Sequence, residues 1–261
     1  MRYLHAGSGR AHVLVHGLLG YSFSWRDVIP ALARLGSVYA PDLPGSGFSE
    51  NPPRLAHDLT ATAKRLLAFL DAVAVNQCDL VGTSHGGAVA MMSASLAPER
   101  VRRLVLVAPV NPWSAHGRRL SRVLTFPPVY AAFERLAPLC TIAHGPMLRR
   151  LYGDPRRVRA GALEAYSAPY RRENAFAAHR GILKSWSQDL ELLREALPRI
   201  ADIPTLIVWG TRDKAVAPAS AEELAHCFHD ARVMMMEGAG HMPYEEMPTE
   251  FNRVLLEFLQ S

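Results

Sequence analysis

Residues 78–92, Cys78-Asp79-Leu80-Val81-Gly82-Thr83-Ser84-His85-Gly86-Gly87-Ala88-Val89-Ala90-Met91-Met92, decide the fold. The first four form a short apolar, strand-like run, and those after Gly86 are small, helix-tolerant residues running on toward Pro98. Between the two, Gly82-Thr83-Ser84-His85-Gly86 reads as a nucleophile elbow. A serine on such a strand-to-helix hinge is held in a strained conformation, and the flanking Gly82 and Gly86 leave room for the chain to fold back. The hinge exposes the Ser84 hydroxyl. It also sets the His85 amide in the first helical turn, where N–H groups lack backbone acceptors and the dipole is positive, so a developing oxyanion is stabilised there. The pentapeptide alone is a common pattern that also suits an ordinary glycine turn. The strand before it, the helix after it and two suitable partners later in the chain favour catalysis.

Toward the N-terminus, Ala11 to Val15 is an apolar run ending at His16-Gly17-Leu18-Leu19-Gly20, the pattern of a buried strand and a glycine turn. Such a turn can present the Leu18 amide to the same oxyanion as His85, while the His16 side chain reads as a turn histidine bonded to backbone. Ser24 to Leu35 is expected to be a helix with Ser24 as N-cap and Trp25, Val28, Ile29, Leu32 and Leu35 on its apolar face, Trp25 packing in the core. Ser37 to Ala40 reads as a strand, closed by Pro41-Asp42-Leu43-Pro44-Gly45-Ser46-Gly47, in which Asp42 fixes the loop. Leu55 to Val73 repeats apolar residues at helical spacing, and Val101 to Ala108 reads as a strand buried on both faces. This alternation implies a parallel sheet with right-handed crossovers.

From Asn111 the alternation stops for about 90 residues, and a helical pattern punctuated by proline follows. The expected organisation is an α/β core of residues 1–110 and 201–261 interrupted by a helical cap, 111–200. The cap carries Trp113, Phe126, Tyr130, Phe133, Tyr166, Tyr170, Phe176 and Trp186, some of which could line an apolar pocket while most pack as core. Alternation resumes with Thr205 to Trp209 ending in Gly210-Thr211-Arg212-Asp213, a helix from Ala219 to Phe228, and a strand from Arg232 to Met236 closed by Gly238-Ala239-Gly240-His241. Met247 to Leu259 suggests a terminal helix.

Taken in order, His16-Gly17-Leu18, Asp42-Leu43-Pro44-Gly45-Ser46-Gly47, Gly82-Thr83-Ser84-His85-Gly86-Gly87, Trp209-Gly210-Thr211-Arg212-Asp213 and Gly240-His241 resemble the α/β-hydrolase family over nearly the whole chain outside the cap. The resemblance implies Ser84 as nucleophile, Asp213 as acid and His241 as base. The family usually opens with a β-hairpin. Only ten residues precede the first strand here, so that antiparallel edge is expected to be shortened or absent. Independently, Ser84, Asp213 and His241 each follow a strand, and parallel strands deliver their carboxyl ends to one edge of a sheet. Glu245 and Glu246 are the other acids near His241, and a carboxylate there is expected to cap the last helix or pair on its surface.

The implied chemistry is acyl transfer from a small-molecule ester, with the amides of Leu18 and His85 holding the oxyanion and with no cofactor or metal. Serine at the elbow argues against the haloalkane dehalogenases and epoxide hydrolases of this family, which carry aspartate there. Carbon–carbon bond hydrolases share the constellation, and some triad-bearing members act as ligand receptors with little turnover, a class that generally has a compact lid.

Composition agrees with a folded enzyme: 261 residues, 49% of them hydrophobic, can bury a substantial core. No apolar stretch is long enough for a secretory signal or membrane span, so a cytoplasmic protein, monomer or dimer, is expected. Three cysteines, Cys78, Cys140 and Cys227, fit neither a disulfide framework nor zinc spacing. The net charge of +5 is concentrated in 112–200, where 15 basic residues face 7 acidic ones. Runs such as Arg118-Arg119, Arg149-Arg150 and Arg156-Arg157 could attract anionic substrates or a membrane surface, although a solvated helical face accounts for them. No nucleic-acid module is present.

Overall fold

The structure, a computed structural model, describes residues 1–52, 54–114, 126, 128–129, 141–172 and 176–261. One sheet of seven strands has the order β1-β3-β2-β4-β5-β6-β7. Its strands are β1 (Tyr3–Ala6), β2 (Ala11–Val15), β3 (Ser37–Pro41), β4 (Cys78–Thr83), β5 (Val101–Val107), β6 (Thr205–Gly210) and β7 (Ala231–Met236). Every pairing is parallel except that of β1 with β3, where Tyr3 lies opposite Pro41 and Ala6 opposite Val38. The antiparallel edge is therefore shortened to four residues and not lost: the short lead-in has room for one strand but not for a hairpin.

The strands sort their side chains with a period of two. Val13, Val15, Leu80, Leu104, Leu106, Ile207 and Trp209 face one layer, and Leu14, Val81, Val105, Val107, Leu206 and Val208 the other. The first layer holds α2 (Leu59–Ala72) and α3 (His85–Leu96). The second holds α1 (Ile29–Leu32) and, at the C-terminus, a long helix (Pro248–Gln260) with Phe251, Leu255 and Phe258 turned inward. β2, β4 and β6 are buried at every residue, as strands covered on both faces should be. Each runs out at its carboxyl end into a loop of the candidate site. α3 is buried along its length except Leu96, so its composition shows no polar stripe.

The helix expected over Ser24 to Leu35 is broken. A 3-10 turn (Ser22–Trp25) is followed by the four-residue α1. Pro30 is the cause: it has no N–H to offer the Arg26 carbonyl, and its ring would clash there in a continuous helix. Trp25, Val28 and Leu32 are nonetheless fully buried, as their spacing suggested. α2 starts at Leu59, later than the periodicity implied, because the Asp58 side chain accepts the Ala61 N–H (2.9 Å) and caps it.

Beyond β5 the described helices are α4 (Thr141–Leu151), α5 (Ala162–Ser167), α6 (Ala177–Ala196), α7 (Ser220–Ala225), α8 (Pro243–Glu246) and the C-terminal α9 (Pro248–Gln260). α6 packs Ile182, Trp186, Leu190 and Leu193 into the layer of α2 and α3. Tyr130, Phe133, Cys140 and the Arg118-Arg119 pair lie outside the described residues. Arg149 and Arg150 are exposed, while Arg156 pairs with Asp154 (2.8 Å) and Arg159 with Asp27 (2.6 Å). Cys78 and Cys227 are free thiols, and burial pushes the Cys78 thiol up to about 12. Among the described residues no helix is long and apolar enough to cross a membrane.

Candidate active site

Ser84 stands between β4 and α3 with φ 53° and ψ −125°, a conformation that costs a non-glycine residue about 1–3 kcal/mol. Its surroundings impose it. The Ser84 N–H donates to Val107 O (3.0 Å) and the Val110 N–H to Ser84 O (2.9 Å), which ties the hinge to the end of β5. α3 begins hard against β2: a Cβ on Gly86 would lie 2.3 Å from His16 O and 2.4 Å from Val15 O. The turn after β2 comes equally close, since a Cβ on Gly17 would lie 2.8 Å from Ser84 Cβ. Leu18, next in sequence, is thereby brought beside the elbow. Neither its N–H nor that of His85 has an acceptor among the described residues. The Ser84 hydroxyl likewise donates to no described residue; bonds from a nucleophile commonly close only in the substrate complex.

Asp213 and His241 meet directly, with His241 Nδ1 2.7 Å from Asp213 Oδ2. Four donors converge on this buried carboxylate. Oδ1 accepts the N–H groups of Ala215 (2.7 Å) and Val216 (3.1 Å), and Oδ2 also accepts Trp209 Nε1–H (3.1 Å). With these donors on Asp213, Nδ1 carries a hydrogen and donates to Oδ2, and Nε2 is the ring nitrogen left uncommitted to it. Trp209, which fixes the acid from below on β6, had no signal in the sequence beyond its place in the Trp-Gly-Thr-Arg-Asp run.

The side chain of His16 is held by backbone, as the turn reading expects. Its Nε2 accepts the Leu43 N–H (3.0 Å), so Nδ1 carries the hydrogen and donates to Gly17 O (2.9 Å). Asp42 fixes its loop by accepting the N–H groups of Ser22 (2.8 Å) and Phe48 (3.0 Å). Glu245 departs from expectation. It neither caps a helix nor pairs on a surface; its fully buried carboxylate accepts Arg26 Nη2 (2.6 Å), Tyr152 O–H (2.7 Å) and Tyr166 O–H. The reason is tertiary: Tyr152, just beyond α4, and Tyr166, on α5, are brought onto it from far along the chain.

Beside the Leu18 and His85 amides a small pocket opens, lined among others by Leu18, Leu43, Pro44, His57, His85 and Ile182. Of the aromatics expected in a cap, Trp186 stacks on the His85 ring (centroids 6.2 Å apart) and Tyr170 on Phe176 (4.8 Å). Burial, helped by the neighbouring His16 and His179, lowers the His85 imidazole to about 3, so it is neutral at ordinary pH. A histidine depressed below its ordinary 6.5 removes stability as pH falls: the unfolded chain takes up the proton near 6.5, the folded chain only near 3. The melting temperature is therefore expected to drop more between pH 7.5 and 4.5 for the wild type than for His85→Gln; parallel curves would contradict the shift. Among the described residues no group of three His, Cys, Asp or Glu side chains could hold a metal ion.

Comparison with known proteins agrees with the fold. Residues 13–248 match a family model described as the alpha/beta hydrolase fold. The chain is 29% identical to haloalkane dehalogenase 2 of Mycobacterium tuberculosis, over 98% of this chain and 90% of that protein. It is 28% identical to 2-hydroxymuconate semialdehyde hydrolase of Pseudomonas sp. strain CF600, over 97% and 88%. The crystal structure of Cfl2 from Burkholderia cenocepacia superposes with a TM-score of 0.86 at 23% identity, over 98% and 90% of the two chains.

Proposed function

Because the chain belongs to the α/β-hydrolase family and is a hydrolase on that ground, we propose that it cleaves carboxylic esters of small apolar acyl groups through Ser84, His241 and Asp213. The observation that carries the reading is the 2.7 Å bond from His241 Nδ1 to Asp213 Oδ2, which commits Nδ1 to the carboxylate and leaves Nε2 as the ring nitrogen available to act as base. In the first half-reaction His241 Nε2 takes the Ser84 proton as Oγ attacks the carbonyl carbon. The oxyanion receives the N–H groups of Leu18 and His85. The intermediate then expels the alcohol, which takes the proton back from Nε2. Water, deprotonated by the same nitrogen, attacks the acyl-enzyme, and the bond to Ser84 Oγ then breaks as Oγ takes the proton from Nε2 and the acid leaves. A serine nucleophile supports acyl transfer over dehalogenation, in spite of the dehalogenase relative. The small pocket walled by Leu18, Leu43, Pro44 and Ile182 together with His57, Thr62 and Arg65 supports a small acyl group.

A set of p-nitrophenyl esters of graded chain length tests this directly. Turnover highest at short chains is the expected result, and turnover on none of them would overturn it. A second reading, hydrolysis of a carbon–carbon bond in a dienoate, is favoured by the similarity to the semialdehyde hydrolase and uses the same residues. A 2-hydroxy-6-oxo-dienoate cleaved faster than every ester would select it.

Both oxyanion donors are backbone groups, so a side-chain change at Leu18 should matter little. Leu18→Ala is expected within a few-fold of wild type, whereas Leu18→Pro, which deletes the N–H, should lower kcat by about 100-fold or more. Equal small losses in steady-state assays would move the oxyanion site elsewhere.

A further inference from the structure

Asp213 sets the rotation of the His241 ring, but the ring rides on a loop that Asp213 does not hold. That loop, Gly238-Ala239-Gly240-His241, has little side chain with which to anchor itself. The turn after β6 holds one side of its backbone, the Arg212 N–H donating to Ala239 O (2.9 Å) and the Gly238 N–H to Thr211 Oγ1 (2.9 Å), and Glu246 holds the other. Glu246, the last residue of α8, is fully buried and lies behind it. Glu246 Oε1 accepts the Gly240 N–H (2.6 Å), and Oε2 accepts the N–H groups of Gly153 (2.9 Å) and Asp154 (3.3 Å), just beyond α4. Arg157 Nη1 is 3.9 Å from Oε2. The His241 N–H itself donates to Leu151 O (2.7 Å), the last residue of α4. The two segments touch closely, because a Cβ on Gly240 would lie 2.4 Å from Gly153 N.

Both oxygens of Glu246 are therefore acceptors, and three N–H groups on two separate segments depend on them. A carboxylate suits this where an amide does not, since glutamine would turn an NH₂ group toward one set of donors. Burial raises the Glu246 carboxyl, and the bonds from Gly240, Asp154 and Gly153 oppose that rise because they favour the charged form. We propose that Glu246 is a positioning residue for the base: its carboxylate fastens the Gly240–His241 backbone to Gly153–Asp154, and the placement of the imidazole toward Ser84 depends on that attachment. The inference rests on His241 being the base of the reaction proposed above.

The test compares Glu246→Gln with Glu245→Gln, an equally buried neighbour that does not touch the His241 loop. For each, kcat, KM, the rate of Ser84 labelling by a fluorophosphonate and the melting temperature are measured, with assays run well below the unfolding midpoint. Glu246→Gln is expected to lower kcat and the labelling rate by about 100-fold with KM within about twofold, the size of an effect from misplacing a catalytic group by about 1 Å. Glu245→Gln should stay within tenfold at a comparable loss of melting temperature. Losses of kcat that follow melting temperature alike in both variants, or a Glu246→Gln near wild type, overturn the inference. Should Glu246→Gln fail to fold, Glu246→Asp decides: reduced kcat at unchanged KM supports it, and wild-type kcat overturns it. Ser84→Ala in the same assay keeps the two levels apart, because retained hydrolysis there would reject the nucleophile and not the role of Glu246.

Discussion

Ser84→Ala is expected to abolish ester hydrolysis, lowering turnover by about 10⁴–10⁶-fold, the range found when a nucleophile that acts as a unit with its base is removed. The fold should survive. Alanine keeps the Cβ, so the hinge at φ 53° is no more strained than before. The lost hydroxyl donates to no described residue, so its removal strands no buried partner, and the melting temperature should stay within a few degrees. Labelling by a serine-directed fluorophosphonate should disappear with the activity. Full activity in the variant, or wild-type labelling at another serine, would remove Ser84 from its role.

Asp213→Asn should be the second severe substitution, lowering kcat by about 10³–10⁴-fold with KM and melting temperature nearly unchanged. The structure indicates how. Two backbone donors, Ala215 N–H and Val216 N–H, point at Oδ1 and require an oxygen there. The amide nitrogen of asparagine must then occupy the Oδ2 position and donate toward His241 Nδ1. That forces the imidazole hydrogen onto Nε2, the atom that has to accept the Ser84 proton. Trp209 Nε1–H loses one acceptor but keeps Val216 O (3.2 Å), which limits the damage to the fold. Glu245→Gln should behave in the opposite way. Its partners are Arg26, Tyr152 and Tyr166, so the expected loss is about 1–3 kcal/mol of stability and less than tenfold in turnover. Steady-state kinetics and thermal melts on the pair give the ranking, and the reverse order would assign a different acid to His241.

How far the sequence could be read is clear from particular residues. β2, β4 and β6 were legible because buried parallel strands are short apolar runs that end at glycine turns, and those turns carry Leu18, Ser84 and Asp213. The face of Trp25, Val28 and Leu32 was legible too, but not the break in its helix, since spacing alone gives no weight to the one missing N–H of Pro30. The two glutamates after His241 were the least legible. Their neighbourhood in sequence suggested a helix cap, whereas their partners Tyr152 and Gly153 lie 93 residues away and come back only because the chain just beyond α4 folds against them. Long-range polar contacts of this kind leave no period in the chain.

The most direct test of acyl transfer through Ser84 is to catch the acyl group on the enzyme. Wild-type protein is mixed with a p-nitrophenyl ester, quenched in acid within the first turnover, and its peptides are weighed by mass spectrometry. The account predicts a mass increase equal to the acyl group on the peptide carrying Ser84, formed together with a burst of p-nitrophenol. An adduct on any other residue, or rapid p-nitrophenol release with no adduct at any quench time, would contradict it.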